Sequence, residues 1–312
     1  MHDDPVDDPT VDDPTVDQLP EGTVSWRQLL AEAERRLEAA DIEMAASDAR
    51  RIVEQASGYE GAELVLGLGE PATERGVAAF DRMVERRAAG EPLQYVLGGW
   101  SFRSLDLFVD HRVLIPRPET ESVVERALRV VDALAERRRP EAVTVVDLGT
   151  GSGAIALSLA AERPATTVWA TDRSSAALAV ARANLAGIGR AATRVHLAEG
   201  SWFEALPPEL RGRIDLVISN PPYVAATDEL PSEVIDHEPV DALIPGPTGY
   251  EALDHLVDEA PGWLRDDGVL ILEMAPTQTA AVERRARARG FVSTEVGRDL
   301  AGRDRYVVAR RS

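Results

Sequence analysis

Apolar residues recur at three- and four-residue steps over residues 23–90 and then give way to short continuous apolar runs. Two kinds of structure are therefore predicted in series. In the first stretch Trp26, Leu29, Leu30, Ala33 and Leu37 fall on one helical face, with Thr23 or Ser25 placed to cap it. Further helices are predicted over Ala45–Ser57, ending near Gly58, and over Gly61–Leu66. A fourth covers Thr73–Ala89, where Val77, Phe80, Met83 and Val84 share a face and Gly90 stops the turn. Together they make a small bundle whose Arg- and Glu-rich outer faces read as solvated surface.

Residues 91–113 change period. Leu93–Leu97 and Leu105–Val109 read as strands on either side of Gly98-Gly99-Trp100-Ser101, a β-hairpin linking the bundle to a second domain over residues 114–312. In that domain strands are predicted at Thr144–Leu148, Thr167–Thr171, Thr193–Leu197, Ile214–Ser219, Gly268–Met274, Phe291–Val296 and Arg305–Ala309. Helices are predicted between most of them, at Ala154–Glu162, Ser174–Ala186, Tyr250–Leu264 and Thr277–Arg289. The alternation implies an α/β fold, a mostly parallel sheet covered on both faces, whose ligands bind outside the C-terminal strand ends.

Composition narrows the function classes. Hydrophobic residues make up 44% of the chain, ordinary for a soluble globular protein. No apolar run approaches the length of a membrane span. Met1-His2-Asp3-Asp4 lacks the apolar core of a secretory signal. There is no cysteine, which removes disulfides, zinc–thiolate sites and thiol nucleophiles and fits a reducing cytoplasm. No metal site is expected. Residues 1–22 repeat Val-Asp-Asp-Pro-Thr and read as a disordered acidic tail. The formal charge is −20, of which −8 lies in residues 1–22 and −12 in the rest, and there is no lysine. So acidic a body is poorly suited to bare nucleic acid, which is bound by neutralising phosphates.

The candidate chemistry lies in two loops. Val143–Leu148 runs into Gly149-Thr150-Gly151-Ser152-Gly153 and then Ala154–Leu159, a strand, a glycine loop and a helix. The glycines let the backbone pass close to a ligand, and the helix N-terminus offers free N–H groups. The next strand ends in Asp172, whose carboxylate can accept two hydrogen bonds from a ribose diol, cap the following helix, or both. The G-x-G-x-G spacing departs from the dinucleotide-binding G-x-G-x-x-G, and without lysine there is no P-loop. Beyond the third strand, Trp202 suits either an adenine face or ordinary core packing. With Asp147 ahead of the loop, the arrangement resembles that of class I S-adenosylmethionine methyltransferases.

Asn220-Pro221-Pro222-Tyr223 follows the apolar run Ile214–Ser219. Proline fixes φ, so this is a stiff turn whose carbonyls are set before any substrate arrives. The Asn220 side-chain oxygen and the Pro221 carbonyl can each accept one N–H of a planar NH2 group, and Tyr223 can stack on it. The guest can be adenine, cytosine or a glutamine amide. Its lone pair is delocalised, so alignment is what such a turn contributes.

Several segments resemble the HemK/PrmC family of peptide chain release factor N5-glutamine methyltransferases. They are Glu91–Gly98, Phe108-Val109, Leu114–Glu121, Asp147–Gly153, Asn220–Tyr223, Glu238-Pro239 with Ala242-Leu243, and Gly302–Arg305, and the resemblance spans roughly residues 25–310. It implies a seven-stranded class I methyltransferase domain behind an N-terminal helical substrate-recognition domain and a linking hairpin. It also implies a cytoplasmic enzyme that moves a methyl group from S-adenosylmethionine to the glutamine of the Gly-Gly-Gln motif in class 1 release factors. By the same resemblance Gly149, Thr150, Gly151, Ser152 and Gly153 wrap the cofactor, Asp172 takes the ribose and Trp202 lies near the adenine. Asn220, Pro221, Pro222 and Tyr223 hold the glutamine, with Asn220 also near the cofactor, and Arg117 and Glu121 line the pocket. Ser201 stands where relatives often carry Asp. The sister enzymes that methylate a ribosomal protein glutamine, and DNA adenine-N6 methyltransferases, are the alternatives. No direct nucleic-acid or membrane partner is expected.

Overall fold

A computed structural model describes residues 22–312. All but the last residue of the acidic tail predicted over residues 1–22 lies outside them. The chain divides between Val96 and Leu97 into two compact units.

The first unit is helical: α1 (Trp26–Glu38), α2 (Ala45–Ser57), α3 (Ala62–Gly67), α4 (Glu74–Ala88) and most of α5 (Leu93–Leu97). Ser25 caps α1 in a capping box with Gln28, and Thr73 caps α4. Trp26, Leu37, Ile52 and Phe80 form the core, with Asp48 and Arg87 paired beneath the surface at 2.7 Å. α5 corrects the expected first strand of the hairpin. Pro92 opens a helical turn by accepting the N–H groups of Tyr95 and Val96. The Arg86 guanidinium then takes the Tyr95 and Val96 carbonyls, so the apolar run closes on itself instead of extending.

The second unit begins with the hairpin itself, β1 (Gly99–Phe102) paired antiparallel with β2 (Leu105–Phe108). Next come α6 (Pro118–Arg138), β3 (Val143–Leu148), α7 (Ala154–Glu162), β4 (Thr166–Asp172), α8 (Ser175–Gly187), β5 (Val195–Glu199) and β6 (Ile214–Ser219). The chain ends with α9 (Ser232–His237), α10 (Glu251–Trp263), β7 (Leu264–Glu273), α11 (Thr279–Ala288), β8 (Ser293–Arg298) and β9 (Asp304–Arg310). α6 is absent from the elements predicted above, although Pro118 in its first turn and the buried series Val123, Val124, Ala127, Leu128, Val131 and Leu134 supply the signal. β5 starts two residues later than expected because a 3-10 turn occupies Gly189–Arg194.

The seven strands lie in the order β5-β4-β3-β6-β7-β9-β8, parallel except for β9, which runs antiparallel to both neighbours. β3 and β6 are buried throughout apart from Thr144, as expected for strands covered on both faces. Strand order reverses between them, and an open α/β sheet has its crevice at that switch point. The loops following β3 and β6 are the glycine loop and the Asn220 turn, so the topology brings the two sequence signals together. The Ser219 hydroxyl donates to the Leu148 carbonyl at 2.5 Å, tying the two strand ends where those loops begin.

Candidate active site

A cavity of about 1140 Å³ opens at this switch point. Gly149, Thr150, Gly151, Ser152, Asp172, Ser201, Trp202, Asn220 and Pro222 line it, together with residues of the 112–120 and 239–245 segments. Of the residues expected at the site, Gly153, Pro221, Tyr223 and Glu121 do not line it.

The glycine loop is held from below and from the side. Asp147, wholly buried, accepts the Thr150 hydroxyl at 2.6 Å and the Ala156 N–H at 3.2 Å. Asp172 accepts the Gly151 N–H and the Ser174 N–H, each at 2.9 Å. Ser174, not Asp172, caps α8, taking the Ala177 N–H on its hydroxyl. Asp172 therefore sets the loop, and it also lines the cavity. Gly153 caps α7 at φ 87°, a conformation that favours glycine, and a Cβ there would press on the Leu157 side chain at 2.9 Å. Asn184 binds the hairpin to this loop. It accepts the Phe108 N–H at 2.7 Å and donates to the carbonyls of Phe108 and Ser152 at 3.0 and 2.9 Å. Trp202, at φ 48°, both lines the cavity and packs on the main core.

In the second loop Asn220 is partly buried, and its Nδ2 donates to the Thr120 hydroxyl oxygen at 3.3 Å. Its Oδ1 is thereby left as the free acceptor. Pro221 is buried beneath the turn. The ring of Tyr223 packs against the core, and its carbonyl accepts the Gln278 side chain at 3.0 Å. Gln278 also donates to the Gly249 carbonyl, and a Cβ on Gly249 would come within 2.6 Å of the Tyr223 oxygen. The stiff turn is therefore wedged against a second one. Burial, helped by the negative charge of Glu273, pushes the Tyr223 hydroxyl up to about 12, so it stays protonated.

The rim is latched across the chain. Glu238, buried, accepts the Ile115 N–H at 3.1 Å and pairs with the Arg117 guanidinium. This joins the segment before α6 to the one before α10. Glu121, expected in the pocket with Arg117, points away from it and accepts the Arg103 N–H at 3.1 Å. The roles of Thr120, Asn184, Glu238 and Gln278 escape sequence reasoning because each acts on a residue far away in the chain.

Two buried carboxyls carry a pH signature. Burial raises Asp147 from 3.8 to about 7 and Glu273 from 4.5 to about 7. Asp147 Oδ1 and both Glu273 oxygens have no hydrogen-bond partner. Between roughly pH 4, the unfolded value, and about 7, the folded protein holds protons that the unfolded chain has released. Stability should therefore fall as pH rises through that window, by several degrees in Tm. Asp147→Asn should flatten the curve; a Tm that climbs from pH 5 to 7.5 in both proteins would refute the assignment.

The chain is similar to known proteins over most of its length. Residues 28–98 match the PrmC N-terminal domain model, and residues 128–238 match the methyltransferase small domain model. A release factor glutamine methyltransferase of Xylella fastidiosa is 46% identical, the alignment covering 74% of this chain and 81% of the relative. One from Moorella thermoacetica is 43% identical over 91% of this chain and 98% of its own length. Among solved structures, the catalytic domain of human METTL16 superposes with a TM-score of 0.51 at 14% identity, covering 77% of this chain and 82% of that one. That likeness concerns the fold alone.

Proposed function

We propose that this chain, which belongs to the release factor glutamine methyltransferase family, transfers a methyl group to the side-chain amide nitrogen (N5) of the glutamine in the Gly-Gly-Gln motif of class 1 release factors. The methyl donor is S-adenosylmethionine, which supplies a sulfonium-bound methyl group as the electrophile. The residues present suit it: a glycine loop held open by Asp147 and Asp172, an acidic group for a ribose diol, and Trp202 with Ser201 on the cavity wall. The Ser201 hydroxyl on that wall can accept a hydrogen bond.

The observation that carries the reading is Asn220. It stands at the end of β6, across the switch point from the glycine loop, with Nδ2 engaged and Oδ1 free. A carboxamide nitrogen is a poor nucleophile because its lone pair is delocalised into the carbonyl. Asn220 Oδ1 accepts one of its N–H groups, which orients the nitrogen and favours rehybridisation. Pro221, expected to accept the other on its carbonyl, is buried and does not line the cavity. No general base is required, since the nitrogen becomes strongly acidic once methylated and then loses its proton. Tyr223 anchors the turn through the core.

The helical unit, which exposes Met44, Val65 and Leu66, is assigned to recognition of the protein substrate. No helix among the described residues is long and apolar enough to cross a membrane. A chain that acts on release factors works in the cytoplasm under this reading, and a sequence without cysteine fits that. The test is a substrate panel with radiolabelled S-adenosylmethionine: a class 1 release factor, ribosomal proteins and duplex DNA. Label on the release factor supports the reading. Label confined to a ribosomal protein would move the substrate to the sister family, and label on DNA alone would overturn it.

A further inference from the structure

Asn220 can serve a substrate N–H only if its oxygen, not its nitrogen, faces the cavity. The two ends of a carboxamide are nearly equal in shape, so packing alone does not select between them. A hydrogen-bond network has to do so. β6 pairs with β7 in a register that sets Ser219 beside Leu272, which makes Asn220 and Glu273 the next residues of the two strands. α6 packs across both strands, and Thr120, 4% exposed in its first turn, donates its backbone N–H to the Arg117 carbonyl. The Thr120 hydroxyl oxygen receives Asn220 Nδ2–H at 3.3 Å. A hydroxyl has one proton, and here it must point elsewhere. Glu273, 1% exposed, offers two oxygens without a hydrogen-bond partner, and the Thr120 hydroxyl already lies close enough to pull its pKa down.

We propose that Thr120 is the positioning residue that sets the amide of Asn220, accepting Nδ2–H while directing its own proton toward the buried carboxylate of Glu273. The amide then turns its nitrogen end toward Thr120 and leaves Oδ1, its acceptor end, for the substrate. This rests on the amide-methylation reading given above. The other groups acting on Glu273 are Glu119 and Arg117 ahead of Thr120, Arg305 on β9, and Tyr223 on the turn itself. Arg305 is shared with Asp299, at 3.4 Å, so it steadies the Glu273 charge without consuming it. The arrangement reverses on protonation. A neutral Glu273 can donate to Thr120, Thr120 can then donate to Asn220, and the amide turns its NH2 toward the substrate NH2.

Three readouts test this. Thr120→Val, which is isosteric, should lower kcat about ten- to thirty-fold while cofactor affinity stays within about two-fold, and Thr120→Ser should recover most of the loss. Wild-type kcat should fall as pH drops through about 7, the value to which Glu273 is pushed, and Glu273→Gln should remove that limb. The side-chain amide resonance of Asn220, assigned by its loss in Asn220→Ala, should lose its exchange protection in Thr120→Val. Full turnover and an unchanged amide signal in Thr120→Val would overturn the proposal, as would a Thr120→Ser variant no better than Val. If the wild-type chain methylates no release factor, the functional reading fails, and the amide resonance still decides on Thr120.

Discussion

Asn220→Ala should lower kcat for glutamine methylation by about a hundred- to a thousand-fold, the range seen when one preorganised polar group of a transition-state site is removed. The cofactor dissociation constant should change little. The division follows from position. Asn220 stands at the end of β6, while the glycine loop is fixed from β3 and β4 by Asp147 and Asp172, neither of which Asn220 touches. Truncation also frees the Thr120 oxygen, but that group sits at the rim of the turn and not in the cofactor loop. The turn should survive, because Pro221 is buried and the Tyr223 carbonyl stays bound to Gln278. Single-turnover kinetics with calorimetry of cofactor binding separates the two effects. A parallel fall in binding and turnover would show that Asn220 holds the cofactor as much as the substrate.

Asp172→Ala should act the other way, weakening cofactor affinity by about ten- to a hundred-fold, the worth of hydrogen bonds to a charged group. The structure adds a consequence absent from the sequence argument. The carboxylate also holds Gly151 N–H and Ser174 N–H, so its removal leaves two partly buried donors unpaired and loosens the loop. The ligand-free variant should therefore melt several degrees lower as well. Asp172→Asn keeps an acceptor for one of those N–H groups and should recover part of the stability but little of the affinity. Calorimetric titration beside thermal melts of the free proteins checks both halves. Unaltered affinity in the Ala variant would reduce Asp172 to a loop brace.

The strands that frame the site were legible because they are buried on both faces. Ile214–Ser219 reads as an unbroken apolar run, apart from Asp215, and is observed at those limits. The glycine loop and the Asn220 turn were legible as local chemistry, and the covered, mostly parallel sheet followed from alternation, but the strand order that places the two loops side by side comes from the structure. The Leu93–Leu97 run was misread because alternating Leu, Tyr and Leu mimic a strand over so few residues, while the deciding contacts come from Arg86. The site's second layer was invisible for a related reason. Thr120 meets Asn220 a hundred residues away, and Glu238 meets Ile115 at a separation of 123. No local pattern encodes such pairs. Gln278 is likewise an ordinary polar residue until the fold sets it between two backbone turns.

The central claim is that Asn220 presents an acceptor to a glutamine side-chain amide beside a methyl-donor site. Mass spectrometry of a class 1 release factor, digested after incubation with this protein and isotopically labelled S-adenosylmethionine, tests it most directly. The account predicts one labelled methyl group on the glutamine of the Gly-Gly-Gln peptide, with fragment ions placing it on the side chain, and none when Asn220→Ala replaces the wild type for the same time. A methyl group on any other residue of the release factor, or an unmodified factor beside a methylated ribosomal protein or DNA, would contradict it.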